Sequence, residues 1–384
     1  MNLAELHSTG AAFYNSQISF NILSGPGVGK TSVMGMICAT LSQTFNEPFG
    51  LLTTILSGMD PVDIRGFGIP TKNAEGVPVV RFTQPSVFPD EVTVEVYVNG
   101  KLVEDYAKEH GIPKRGILFF DEFAQCDADI QKTAAQIILD RRISNHKLPK
   151  GWVVWSAGNR TEDKAGVVKT LAHVQNRRCD ISVEPDYEAW QKWAFANDVH
   201  PLLIGFAKSN AGDVFRMTVP KEQGPYCTPR SLVMCGEVLK SMRTPEMNSN
   251  QLPDNHIAAE AIKGLLGEGI MPKFLTHIRL ANDLPDVDDV IKSPDSTPVP
   301  ERLDARFVMA TSLAVHAAPT GSTGNEAGAG KRMKAILKYV TRMDLELQTL
   351  FMQATVTRNA AVLTVAEFAE WTNKNQKLLM AAHS

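Results

Sequence analysis

Apolar residues in this chain of 384 residues fall into two kinds of run, and the mixture changes near residue 200. Before that point, short unbroken apolar stretches alternate with helically spaced ones. The stretches "QISFNIL" (17–23), "FGLLTTIL" (49–56), "GILFFDEF" (116–123), "GWVVWSAGN" (151–159) and the shorter "DISVEP" (180–185) read as strands, most of them buried. In "KTSVMGMICATLSQTF" (30–45), Val33, Met34, Ile37, Cys38 and Leu41 recur at helical spacing. In "DADIQKTAAQIILDRR" (127–142), an Asp127 cap precedes a stripe of Ile130, Ala134, Ile137 and Ile138. Strands alternating with helices predict an α/β fold with a parallel sheet covered on both faces. Residues 76–103 interrupt the rhythm. Within them "VTVEVYVNGKLV" predicts a hairpin turning at Asn99-Gly100. The stretch therefore reads as an insert, with Arg81, Phe82, Phe88 and Tyr97 facing a partner or a central pore instead of building the core.

Beyond residue 200 the strand signals fade. Helices are predicted over 229–242, 255–268 and 271–282, then over roughly 302–317, 331–355 and 365–381, with the Pro/Asp-rich 283–301 as a connection. No internal repeat is visible.

Composition adds exclusions. At 43% hydrophobic and 21% charged, the chain is that of an ordinary globular protein. A net charge of −3 supplies no overall basic field for nucleic acid, which is not indicated as a partner. No apolar run is long enough to span a bilayer. The start, "MNLAELHSTGAAFYNSQ", lacks the basic and apolar blocks of a signal peptide. The five cysteines (Cys38, Cys126, Cys179, Cys227, Cys235) are odd in number and form no C-x-x-C pair, so reduced thiols and a cytoplasmic location are expected. There is no H-E-x-x-H zinc motif.

The chemistry begins at "SGPGVGKT" (24–31). The phosphate-loop signature is G-x-x-x-x-G-K-[ST]; Gly29, Lys30 and Thr31 fit, while Ser24 fills the first glycine slot. A strand before the loop and a helix after it are the context such a loop needs. Residues Gly25, Pro26, Gly27, Val28, Gly29, Lys30, Thr31 and Ser32 are then the nucleotide-binding candidates. Backbone N–H groups of Gly27, Val28 and Gly29 would wrap phosphates, Lys30 would reach the β- and γ-phosphates, and Thr31 would ligate Mg²⁺. By itself the stretch is also a glycine-rich turn before a helix.

In "ILFFDEF", Asp121 and Glu122 emerge at the carboxyl end of a strand, where ligands bind in open α/β sheets. Asp121 would hold magnesium through water, and Glu122 would orient and polarise an attacking water. Asn159, at the end of its own strand, either touches γ-phosphate and water or merely turns the chain. The pair Arg177 and Arg178 in "NRRCD" is either a solvated surface or a source of charge for a transition state, in cis or from a neighbouring subunit. Arg230 in "TPRS" starts a helix capped by Thr228 with Pro229 at its first position. A second stretch, "GNEAGAGKR" (324–332), has Asn325 and Arg332 at the two diagnostic positions and no preceding strand. It reads as a flexible loop between helices.

These parts, in this order, resemble the AAA+ ATPases, and within them the MoxR-like group. The segments "GMDPVDIRGFGIP", "RFTQPSVFP", "RRISNHKLPKGWVVWSAGNRTEDKAG", "YCTPRSLVM" and "EAIKGLLGEGIMPKFLTHIRL" carry the resemblance over most of the chain. It implies Walker A at Lys30 and Thr31, Walker B at Asp121 and Glu122, sensor 1 at Asn159, the arginine finger at Arg177 and sensor 2 at Arg230. It identifies residues 76–103 with the helix-2 insert of that group. Two departures stand out: Ser24 for the first glycine, and Arg178 where an aromatic is usual, which leaves the finger open between Arg177 and Arg178. The implied architecture is an AAA+ core over 1–205, a helical lid over 206–300 and a helical C-terminal region over 301–384. The implied cofactors are ATP and Mg²⁺. The implied assembly is a homo-oligomeric ring, commonly a hexamer, acting on a protein client such as one with a von Willebrand factor A domain. Two other functions compete with this remodelling ATPase: a nucleic-acid motor and a slow ATP-gated assembly scaffold. Intact Glu122 speaks against the scaffold.

Overall fold

The computed structural model describes residues 1–160, 175–220, 223–324 and 326–381. Packing divides the chain into two units, Met1–Pro185 with Met217–Val219, and Asp186–Arg216 with the chain from Pro220 onward. The first ends at Pro185, twenty residues short of the boundary expected at 205.

The strands among the described residues, all in the first unit, are β1 (Phe20–Leu23), β2 (Phe49–Ile55), β3 (Gly68–Lys72), β4 (Pro78–Phe82), β5 (Glu95–Val98), β6 (Lys101–Val103), β7 (Arg115–Asp121), β8 (Arg142–Ile143), β9 (His146–Lys147), β10 (Gly151–Gly158) and β11 (Cys179–Ser182). Seven form one sheet in the order β11-β1-β10-β7-β2-β5-β6. The five from β11 to β2 run parallel. Every residue from Ile117 to Phe120 and from Trp152 to Ala157 is buried, as expected of strands covered on both faces. Alternation sorts the side chains. Ile117, Phe119, Val153 and Trp155 join the core under helices α1 (Leu3–Asn15) and α2 (Lys30–Phe45). Leu118, Phe120, Trp152 and Val154 join the opposite core, under α3 (Pro61–Arg65) and α5 (Ala128–Asp140); the short α4 (Tyr106–His110) adds Ala107 to it. Phe119 is fully buried, so Phe119→Ala would remove about 3–5 kcal/mol of stability.

The expected insert divides differently. It contains parts of two hairpins. One, β3–β4, begins already at Gly68 and leaves Phe67, Ile69, Val77 and Val80 exposed. The other, β5–β6, turns at Asn99 (φ 50°) and Gly100 (φ 83°), the two left-handed residues a tight hairpin requires. It does build the core, contrary to expectation. β5 pairs antiparallel with β2 and extends the main sheet, while Val87, Phe88, Val94 and Val96 are buried. Its tip is docked too, since the Gly100 N–H donates to Ser42 Oγ on α2 at 2.9 Å. The physical reason is β2's free edge, which would otherwise expose a row of unpaired backbone groups.

The second unit is helical: Tyr187–Ala196, Pro201–Ser209, Ala211–Val214, Pro229–Ser241, His256–Leu266, Met271–Asn282, Val287–Lys292, Leu303–Ala317, Ala329–Val340, Leu345–Arg358 and Ala366–Ala381. Phe206, Phe274, Ile278, Leu313 and Phe351 share one core across residue 300, so the expected division there does not appear in the packing. The connection over 283–301 carries a short helix begun by Asp286, whose carboxylate accepts from the Asp288 N–H. The helix expected over 331–355 breaks in two because Asp344 takes an extended conformation (ψ 153°) and starts a new one. No helix among the described residues is long and apolar enough to cross a membrane.

Candidate functional site

The parallel strands end together along one edge. Leu23 of β1 is level with Gly158 of β10, Phe120 of β7 with Ser156, and Ile55 of β2 with Asp121. Whatever follows these strands therefore meets at the same place: Ser24 and its loop, Asn159, the Asp121-Glu122 pair, and Leu56-Ser57. Gly158 lets the chain cross there. A Cβ on it would stand 2.7 Å from Ala124 Cβ and 2.9 Å from Ala124 N.

The loop over 24–29 turns through two left-handed glycines, Gly27 (φ 74°) and Gly29 (φ 106°), and Gly29 is the residue from which α2 starts. Ser24 is not among the left-handed residues. It is fully buried, with its N–H directed at the Gly158 carbonyl at 3.4 Å. Serine is thus compatible with the first glycine slot, because that slot does not need glycine's freedom here.

Lys30, 8% exposed, points back into the loop, donating to Gly25 O at 3.1 Å and to Asn159 Oδ1 at 2.9 Å. Thr31 Oγ donates to Asp121 Oδ2 at 2.8 Å. A hydroxyl and a carboxylate in contact are hard oxygen donors of the kind Mg²⁺ prefers when phosphates and waters complete its shell. No cluster of three or more His, Cys, Asp or Glu among the described residues could hold a metal by itself. Two contacts therefore bring Lys30, Thr31, Asp121 and Asn159 together.

Glu122 stands beside them in a left-handed backbone conformation, φ 57°, which is uncommon for a residue with a side chain. Its carboxylate accepts a short hydrogen bond from the Ser57 hydroxyl. Sequence reasoning missed Ser57, which follows β2 and forms no motif with anything near it. It also missed Arg160, whose Nη2 would lie 3.7 Å from a Cβ on Gly25 and which donates to the Met217 carbonyl.

The two neighbouring arginines have different environments. The Arg178 side chain is 2% exposed. It donates to Asp180 Oδ1 at 3.0 Å and to Ser156 Oγ at 3.3 Å, and it lies over the Phe123 ring. Burial lowers its pKa, partly countered by Asp180. Arg177 is exposed. It stands two residues before Cys179, and Cys179 pairs with Phe20 at the amino end of β1. The phosphate-loop candidate follows the other end of β1, ~13 Å farther along at about 3.3 Å per residue. The structure does not bring Arg177 to the cluster.

Arg230 belongs to the second unit. It is exposed on the helix Pro229–Ser241, whose cap forms as expected, with Thr228 Oγ accepting from the Ser231 N–H at 3.0 Å. The stretch over 324–332 differs from expectation. Its later residues start a helix from Gly328 (φ 84°), so only the earlier part is loop.

No protein-family model matches the chain, and no curated protein matches it. Among solved structures, RuvB of Thermotoga maritima is 13% identical, covering 76% of this chain and 75% of that one at a TM-score of 0.36. NtrX of Brucella abortus in complex with ATP is 13% identical over 99% of this chain and 68% of its own, at 0.31. Drosophila ORC bound to DNA is 11% identical over 99% and 69%, at 0.30. Likeness at this level carries no conclusion about activity.

Proposed function

We propose that this chain is a magnesium-dependent ATPase of the AAA+ kind, with the motif set of the MoxR-like group. We propose further that it works as a ring, hexameric in that group, and remodels or activates a protein partner, with a von Willebrand factor A domain protein as the candidate. One observation carries the ATPase proposal. The phosphate-loop candidate, the acid-bearing strand and the Asn159 strand end at one sheet edge, with Lys30 on Asn159 and Thr31 on Asp121. A glycine-rich turn with an unrelated buried strand would not require both contacts.

In this function, the N–H groups of Gly27, Val28 and Gly29 and the start of α2 receive the phosphates, along with Lys30, Thr31 and Ser32. Thr31, and Asp121 through water, would hold Mg²⁺, which would supply positive charge to neutralise the phosphates. The Glu122 carboxylate accepts a proton from water as the water oxygen bonds to the γ-phosphorus. The bond from that phosphorus to the β-phosphate bridging oxygen breaks, releasing ADP and phosphate. Asn159 orients the water and the γ-phosphate. Arg230 and Arg177 supply further charge, and Arg177 does so to a neighbouring subunit. Its exposure and its place at the far end of β11 support that reading, as does the burial of Arg178 in its own chain.

The test is hydrolysis and binding in one set of variants. Glu122→Gln should bind ATP normally and lose nearly all turnover. Arg177→Ala should lose about three orders of magnitude in rate. Mixing the two inactive proteins should restore part of the activity, because one kind of interface then pairs an intact Glu122 with an intact Arg177. Normal hydrolysis by Arg177→Ala rules out the proposed finger, and failure of wild type to bind ATP rules out the ATPase.

A further inference from the structure

Arg160 follows Asn159 at the end of β10, and no motif calls for an arginine there. Its guanidinium lies between two different things. On one side is the start of the phosphate-loop candidate, with Nη2 3.7 Å from the Cβ position of Gly25. On the other is the Met217 carbonyl, to which Nη2 donates. Met217–Val219 packs with the first unit although the chain on both sides of it, up to Arg216 and from Pro220, belongs to the second. Arg160 thus holds a short stretch after Pro185 that, among the described residues, returns to the unit containing the loop.

We propose that Arg160 is a positioning residue that clamps Met217–Val219 to the bound nucleotide. The inference rests on the ATPase proposal above. The guanidinium is a planar fork with several donors at fixed angles, so it can serve a carbonyl and an anionic oxygen at once. Phosphate oxygens in the loop beside Gly25 attract it by charge. A single cation bonded to both ligand and chain ties them energetically: nucleotide tightens the segment, and by reciprocity the segment tightens nucleotide. The nucleotide site gains a grip on the chain that leads to the helix carrying Arg230.

Hydrogen exchange of peptides covering 213–219 tests this, with and without Mg²⁺ and the slowly hydrolysed analogue ATPγS, alongside calorimetric titration of the same analogue. In wild type the analogue should slow exchange of this segment. In Arg160→Ala the segment should exchange fast in both states, with affinity lower by about tenfold, the loss of one charged hydrogen bond. Arg160→Lys separates the clamp from simple charge. It should keep most of the affinity but lose the slowing, since one ammonium does not span both partners. Wild-type binding without a change at 213–219 overturns the clamp and leaves the ATPase standing. So does slowing that survives in Arg160→Ala. Absence of wild-type binding overturns both.

Discussion

The stretches 24–31 and 324–332 are alike in sequence, and residues 29–31 and 328–332 are locally alike in structure. Each has a left-handed glycine, Gly29 and Gly328, from which a helix starts, with a lysine in the first turn. Their surroundings differ. Lys30 is buried and bonded back to its own loop and to Asn159. Lys331 is exposed, and the start of its helix is already approached by an acid, since a Cβ on Gly330 would stand 2.6 Å from Glu367 Oε1. A carboxylate there meets the positive end of the helix and takes the role an anionic ligand would have. Glycines and a lysine make a helix start. The parallel strands alongside, ending in Asn159 and Asp121, make it a candidate site.

Paired substitutions can break that contrast. The largest effect is expected at the lysines. Lys30→Ala should weaken nucleotide binding by about a hundredfold or more, and Lys331→Ala should leave it within about twofold, by calorimetric titration. Comparable losses at both would erase the distinction. The next concerns a cation fixed by its surroundings against one on the surface. Arg178→Ala should cost about 2 kcal/mol of stability because it removes a buried guanidinium that bonds Asp180 and Ser156 and lies over Phe123, whereas Arg177→Ala should cost under about 0.5 kcal/mol, by urea denaturation. Gly29→Ala and Gly328→Ala should each cost about 1–2 kcal/mol, for the same backbone reason, but only the first should also weaken nucleotide. The smallest effect is Ser57→Ala, which should lower turnover by about fivefold with affinity unchanged, as one hydrogen bond orienting Glu122 is lost.

The sheet was legible because Ile117–Phe120 of β7 and Trp152–Trp155 of β10 are unbroken apolar runs and α2 spaces its core residues helically, all local patterns. The same holds for Lys30, Thr31, Asp121 and Asn159, each at an element end that its own sequence marks. What escaped depends on distant partners. α1 buries Leu6, Gly10 and Tyr14, but Gly10 counts as no apolar residue, and it is small because Ile37 lies 3.0 Å from its Cβ position. The residues of β5 that pair at the open edge of β2 are 44 to 48 positions from their partners in sequence, and nothing in "VTVEVYV" states which strand it joins. Ser57 meets Glu122 across 65 residues. Arg177 and Arg178 have identical chemistry, and only the neighbourhood of Asp180, Ser156 and Phe123 tells them apart.

The left-handed backbone of Glu122 puts the fold at odds with the proposed activity. At φ 57° any side chain is disfavoured by about 1–2 kcal/mol relative to glycine, less the entropy glycine loses on folding. Glu122→Gly should therefore give a protein about as stable as wild type, or up to about 1 kcal/mol more so, with the proposed base deleted. Selection for heat resistance alone would drift toward glycine at this position. A population required to hydrolyse ATP would keep the glutamate and carry the lower melting temperature with it.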